Sequence, residues 1–420
     1  MSPNSLTTAT SSEPIGAPSL YAAFDRYPSS KGAAVHIREF ADTLFESCGG
    51  GLLHVLGGED LPSYQREVDE HGRTVEIVRF TESIPNLLDR VDAYGRQLAA
   101  VAAAHRNTLK LVHVRDPWSA APLLLGDAPA TDPAPRSRAP LVFEVNGLPS
   151  IELPYAYPGL GERTLTKVRQ LEVACLEGAA AIVTPSAVLA ERLRALAPAA
   201  APITVVRNGA KLPDELPPRP EQAPARYIVY VGALQPWQGI DTLLAALRRL
   251  ADLDVQLVVC SATPPKRARP WRRLAARLGV EDRVDWHFKV PHREVAAWLT
   301  HAELSVAPLS DCARNVDQGC CPLKVLESMA AGTAVIASDL AVTRELVVDG
   351  EHGRLVPPDR PAELARAIRV ALELPELTAA QGRAAQGHVR RSLTWQHSRD
   401  ALGAVYEEVA QEPRSGGDAR

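Results

Sequence analysis

The sequence predicts an α/β protein made of two doubly wound domains with parallel sheets that face one another. Three observations carry this reading. Short runs rich in Val, Ile and Leu alternate with longer amphipathic patterns along the chain, the signature of parallel strands covered by helices on both faces. The alternation stops at KLPDELPPRPEQAPAR, residues 211–226, where five prolines leave neither a helical nor a strand period. It then begins again, and a chain of 420 residues with 46% apolar side chains is long enough for two cores.

Taken in order, residues 1–17 have no basic head followed by an apolar run and are expected to be a disordered leader on a cytoplasmic protein. The first domain, 18–210, holds the strand candidates LYAAF, LLHVL, TVEIVRF, LKLVHVRD, LVFEVN, AIVTP and ITVVRNG. Helical patterns such as ERTLTKVRQLEVACLEGA and AVLAERLRAL lie between the last of these. The Pro-rich stretch GDAPATDPAPRSRAP is followed at once by a buried-strand pattern, so it reads as a surface loop and not a boundary. Residues 211–226 form an extended linker. The second domain, 227–395, carries YIVYVGA, VQLVVCSA, VDWHFKV, LSVAPLS, AVIAS and GRLVPP with helices between them. Residues 396–420 are a terminal helix followed by a disordered tail.

Composition narrows the function. The formal net charge is −4, which gives no hint of a nucleic-acid surface. No segment approaches the roughly eighteen consecutive apolar residues of a membrane span. The six cysteines have neither zinc-ligand spacing nor the density of a secreted scaffold, so reduced thiols are expected. The basic run from Lys266 to Arg273 suits either a solvated helix start or peripheral contact with anionic lipid.

In open parallel sheets, ligands bind beyond the carboxyl ends of strands, so the loops there hold the candidate residues. After the first strand, Gly32 permits close backbone approach and His36 follows one turn into a helix. Arg115 and Asp116 close a later strand, and Glu144 and Asn146 close the next. Each pair suits hydrogen bonding to a polyhydroxylated ligand, and equally a structural pair or a turn. The triplet Arg207-Asn208-Gly209 reads as a turn on the same terms. In the second domain Gly232 ends a strand, Gln238 lies in the loop and Gly239 precedes a helix.

The sharpest signal is QGCCPLKVLESMAAG. Pro322 fits a first helical position, and the amides of Leu323 and Lys324 lie in the first turn. Lys324 there opposes the helix dipole unless an anion is bound, when amides and ammonium converge on it. Glu327, one turn on, can accept two ribose hydroxyls, and Arg314 in the preceding loop can neutralise phosphate. The competing reading is a Lys324–Glu327 surface pair.

The ordered run from KGAAVHI through VTPS, VRNG, YVGALQPWQGIDTLLAAL and PLKVLESMAAGTAVIASD to TWQHSRDALGAVYEEV resembles the retaining glycosyltransferase family 4 of the GT-B fold. The resemblance implies two Rossmann-like domains, a nucleoside diphosphate sugar held by the second and an acceptor held by the first. It implies a last helix that crosses back to the first domain. The acceptor is expected to be a small molecule, a glycan or a lipid-linked group, with at most peripheral contact with the inner face of the membrane. Retention through a front-face reaction is implied, with no cofactor and no metal. On this basis Lys324, Arg314, Asn146 and His36 are the catalytic candidates. Gly32, Gly232, Gln238, Pro322, Leu323, Lys324 and Glu327 are expected to bind donor, and Arg115, Asp116 and Glu144 acceptor. The alternatives are an epimerase acting on the sugar nucleotide and a non-catalytic binder.

The chain departs from the family pattern at four places. Gly319 stands where an acidic residue is usual, eight positions before Glu327. Ala233 and Gln238 replace a customary arginine and lysine, and Asn146 matches a frequent histidine.

Overall fold

The computed structural model describes residues 18–29, 32–58, 61–69, 71–126 and 139–411. The expected leader at 1–17, the tail beyond 411 and most of the Pro-rich loop at 126–140 lie outside the described residues.

The first domain runs β1 (Ser19–Arg26), α1 (Gly32–Cys48), β2 (Gly51–Leu56), β3 (Tyr64–Val68), β4 (Thr74–Phe80), α2 (Leu87–Ala104), β5 (Leu111–Val114), α3 (Pro117–Leu124), β6 (Leu141–Glu144), α4 (Pro149–Ala156), α5 (Glu162–Gly178), β7 (Ala181–Thr184), α6 (Ala187–Leu196) and β8 (Ile203–Val205). The second runs β9 (Tyr227–Val231), α7 (Ile240–Arg248), β10 (Gln256–Ser261), α8 (Arg269–Leu278), β11 (Val284–Phe288), α9 (His292–Thr300), β12 (Leu304–Ala307), α10 (Leu323–Ala330), β13 (Val335–Ser338), α11 (Ala341–Arg344), β14 (Gly353–Val356), α12 (Pro361–Glu373) and α13 (Pro375–Ser392). Helix α14 (Trp395–Gln411) ends the described chain.

The sheets are ordered β3-β4-β2-β1-β5-β6-β7-β8 and β11-β10-β9-β12-β13-β14. Strand order reverses beside β1 in one and beside β9 in the other, and such switch points open a crevice at the carboxyl edge. The central strands are buried on both faces, β5, β6, β7, β9, β12 and β13 completely so. That is why they stand out in the sequence as unbroken apolar runs.

One strand departs from the expected parallel pattern. β3 pairs antiparallel with β4 at the sheet edge, and its residues YQREV are mostly exposed. An edge strand facing water on both sides needs no apolar run, so it gave no signal.

The domains meet at two chain crossings. The Ala210 N–H donates to the Leu393 carbonyl at 2.9 Å, and Ala210 bridges Thr394, so the linker entrance and the start of α14 lie side by side. Helix α14 then packs on the first domain. Trp395, Leu402, Val405, Tyr406 and Val409 join Tyr21, Ile37, Phe40 and Phe45 in one buried cluster. Arg399 donates to Glu39 on α1 at 2.6 Å.

Gly239 shows why the loop after β9 takes its path. Its φ is +68°, and a Cβ there would lie 1.7 Å from the Pro308 carbonyl oxygen. Gly239→Ala is expected to lower stability by about 2 kcal/mol through left-handed strain and the displaced Pro308 loop, read as an earlier urea midpoint. An unchanged midpoint would show that the loop yields freely.

Candidate functional site

The carboxyl edges of the two sheets enclose a cavity of about 380 Å³ with walls from both domains. Gly32, His36, Arg115, Asn146 and Asn208 line one side. Gly232, Gln238, Arg314, Lys324 and Glu327 line the other, with Pro322 and Leu323 between them. Gly32 faces Leu323 so closely that a Cβ on it would lie 2.7 Å from Leu323 Cδ1. The starts of α1 and α10 therefore converge on one space.

Helix α10 begins at Leu323, one residue later than expected. Pro322 is the capping residue, held extended at φ −73°, ψ 104°. No side chain caps this end, so its first amides are open to a ligand. Lys324 makes no pair with Glu327. Its ammonium donates to the Tyr230 hydroxyl at 2.8 Å and to Gln238 Oε1, and lies 4.0 Å over the Tyr230 ring. Tyr230 gives its own proton to the Ala233 carbonyl at 2.8 Å, which leaves an oxygen lone pair for the lysine. Both acceptors are neutral, and no carboxylate pairs with the ammonium among the described residues. Burial pushes the Lys324 amine down to about 7.

Glu327 turns instead to His292, whose Nε2 lies 2.8 Å from Glu327 Oε1. That hydrogen bond raises the His292 pKa against burial and the repulsion of Arg38. Arg314 faces the cavity, stacks 5.6 Å from the Trp237 ring and lies 3.3 Å from Glu152 on α4 of the first domain. Gln318 joins the same crossing, donating to Glu152 at 2.9 Å and accepting from the Leu148 N–H at 2.9 Å.

The first-domain wall rests on Glu144. The Tyr21 hydroxyl donates to its Oε2 at 2.8 Å, and His113 Nε2 reaches the same oxygen at 2.9 Å. His36 Nε2 lies 2.6 Å from Oε1, Asn146 donates to that oxygen, and Arg115 stands 3.4 Å away. Burial alone would raise this carboxyl. His36 and His113 outweigh it and hold the pKa well below the usual carboxylate range. Tyr406 OH lies 2.8 Å from His113 Nδ1, so the network reaches helix α14.

Asn208 spends its amide N–H on the Cys321 carbonyl at 2.9 Å, which turns its oxygen toward His36 Nδ1 at 2.7 Å. Each ring nitrogen of His36 therefore faces an oxygen partner.

Two of the expected acceptor-side residues lie off the cavity. Glu144 is 1% exposed and does not line the cavity, so it supports the wall instead of meeting an acceptor. Asp116 also stands apart from the cavity. It caps α3 by accepting from Ser119 N–H and takes the Phe24 N–H at 2.7 Å, and burial pushes its carboxyl up to about 6. His36 does line the cavity, with its ring nitrogens held by Asn208 and Glu144. Arg115 and Asn146 do reach the cavity, alongside the donor-side residues.

The sequence reading missed four contributors. Tyr230 looked like core because it lies inside an apolar strand. His292 follows β11 at the same sheet edge, where the strand-end rule would have found it. Asn208 was read as a turn. Tyr406 lies 293 residues from its partner His113, and no local signal links them.

Two facing Rossmann-like domains with the cleft between their carboxyl edges define the GT-B class of glycosyltransferase folds. Residues 30–212 match Glycosyltransferase Family 4 and residues 225–373 match Glycosyl transferases group 1. With both domains matched, the chain belongs to the family 4, group 1 glycosyltransferases. It is 30% identical over 227 residues to a lipopolysaccharide core biosynthesis mannosyltransferase, LpcC, of Rhizobium leguminosarum bv. viciae, covering 51% of this chain and 62% of that protein. It is 33% identical over 195 residues to a D-inositol 3-phosphate glycosyltransferase of Streptomyces avermitilis, covering 44% and 40%. The matches thus span about two fifths to three fifths of these curated relatives. Among solved structures, sucrose-phosphate synthase from Thermosynechococcus elongatus superposes with a TM-score of 0.75 at 20% identity, covering 93% of this chain and 99% of that one.

Proposed function

We propose that the chain transfers a glycosyl group from a nucleoside diphosphate sugar to an acceptor with retention at the anomeric carbon. The observation that carries this is Lys324, a half-buried ammonium at an uncapped helix start, held by two neutral oxygens and facing the interdomain cavity. A diphosphate supplies the charge this arrangement lacks, and the open amides of α10 add donors to it. Glu327 and His292 stand beside it for a ribose, and Arg314 and Arg115 add positive charge to the walls. The two curated relatives are named for glycosyl transfer, which agrees with this reading.

In the proposed reaction the bond from the anomeric carbon to the diphosphate oxygen breaks, and the acceptor oxygen attaches on the same face. The acceptor proton passes to the departing phosphate oxygen. No protein base is required, which fits a cleft where His36 has both nitrogens engaged. The protein's part is positioning the donor and stabilising the leaving charge. We propose that this charge is met by Lys324, Arg314 and the α10 amides without a metal ion.

The setting proposed is the cytoplasm, in keeping with six free cysteines. No helix among the described residues is long and apolar enough to cross a membrane.

A thermal-shift screen against UDP, GDP, ADP, TDP and CMP and their sugar conjugates tests the donor site. At about a hundred times its dissociation constant a true donor adds roughly 2.7 kcal/mol and moves the midpoint by a few degrees. The donor so found is then incubated with acceptors and the product anomer read by NMR. No shift with any nucleotide overturns the donor assignment. A product from donor alone favours epimerisation, and an inverted anomer removes retention.

A further inference from the structure

Helix α8 and the turn before it carry six basic side chains that the cleft does not use. Lys266 and Arg267 lie on the turn Pro265–Ala268, and Arg269, Arg272, Arg273 and Arg277 on the helix. All six are exposed. Along the helix they fall at i, i+3, i+4 and i+8, a single outward stripe. The opposite face, Trp271, Leu274, Ala275 and Leu278, packs on the second-domain core. The basic stripe is therefore fixed in direction by burial of its partner stripe.

Its charge is left uncompensated. No Asp or Glu occurs from Val255 to Val280. Among the described residues none of the six makes an ion pair, whereas outward arginines on other helices do, as in Arg96–Asp92, Arg366–Glu363 and Arg369–Asp252. Taking these six from the 46 basic side chains leaves 40 against 50 acidic ones, so the rest of the molecule is clearly negative. Such a charge dipole turns this one face toward an anionic surface and the remainder away from it.

The turn follows β10, whose last residue Ser261 lines the cavity together with Ala262. The leading turn with Lys266 and Arg267 thus starts from the sheet edge that the cavity opens on, and α8 runs back from it along the outside of the second domain.

We propose that α8 and its leading turn dock this chain on an anionic lipid bilayer. The face is the outer side of one helix with no exposed aromatic ring, unlike the stacking platforms that grip nucleic acid. It offers no exposed large apolar side chain either, so the contact is electrostatic and does not insert.

The test is co-sedimentation of the full chain with vesicles of phosphatidylcholine, with and without phosphatidylglycerol. Binding is expected only with phosphatidylglycerol present and is lost in high salt. Changing Arg269, Arg272, Arg273 and Arg277 together to Gln should lower partitioning roughly fivefold for each charge removed. Changing the same four to Lys should preserve it, and so should Arg383→Gln, Arg390→Gln and Arg391→Gln on α13. Each variant is checked for an unchanged unfolding midpoint. The proposal is overturned if the parent ignores anionic vesicles, if the Lys variant loses binding, or if the α13 variant loses as much as the α8 variant. Displacement from vesicles by an equal concentration of duplex DNA would also overturn it.

Discussion

Replacing Lys324 with Met weakens binding of the nucleoside diphosphate sugar about a hundredfold and leaves the fold intact. The loss is that of one charge-assisted contact made inside a low-dielectric cleft. The unfolding midpoint holds or rises, because without ligand the ammonium is a half-buried charge whose hydrogen-bond partners, Tyr230 and Gln238, are both neutral.

The same residue sets a pH profile. Its amine titrates at about 7 in the folded chain against 10.5 ordinarily, so the native state sheds this proton before the unfolded chain does. Between those values unfolding takes up a proton, and the residue's contribution to stability rises with pH. Donor binding runs the other way. The anion favours the charged form, so binding takes up a proton, and affinity falls as pH rises above 7, approaching tenfold per unit. A nucleotide sugar is the right probe because its diphosphate does not itself titrate there. Calorimetry across pH 7 to 9 in two buffers should show proton uptake in the parent and none in Lys324→Met. A flat profile in the parent would remove the lysine from the site.

Glu144→Gln is the largest expected loss of stability, about 3–5 kcal/mol, the cost of removing one partner from a buried charged cluster. The side chain keeps its shape, but its amide cannot accept from Tyr21, His113, His36 and Asn146 together, and Arg115 loses its buried counter-charge. Glu144 titrates far below its ordinary value of 4.5. Its contribution is therefore present above about pH 4.5 and is lost as pH falls toward the native value. Urea unfolding of parent and variant at pH 7.5 measures the difference. A gap under about 1 kcal/mol would mean that water or a neighbour takes over the role.

The fold was legible wherever strands are buried on both faces, because only apolar runs survive there. It was silent at β3, where both faces meet water. The site was legible where a residue contradicts its local structure, as Lys324 contradicts the helix dipole. It was illegible where a residue agrees with its surroundings and acts through distant partners. Glu144 closes a strand as a ligand-binding residue would, and only the convergence of Tyr21, His36 and His113 shows its role to be support.

The family departures become readable in three dimensions. Gln238 replaces a lysine and accepts from Lys324, where a second cation would repel it. Gly319 has φ +79°, and a Cβ there would lie 2.9 Å from Val188 Cγ1 of the first domain, so the usual acidic side chain has no room.

The return of α14 to the first domain bears on how the molecule is made. Synthesis supplies the first-domain strands first, yet the apolar face that Tyr21, Leu53, Val142 and Val183 share with Ile37, Phe40 and Phe45 is covered by Trp395, Leu402, Val405 and Tyr406 of α14. The second domain has its strands and helices through α13 before that cover emerges from the ribosome. The half translated first is thus the half completed last, and an early pause exposes the surface that α14 is destined to hide.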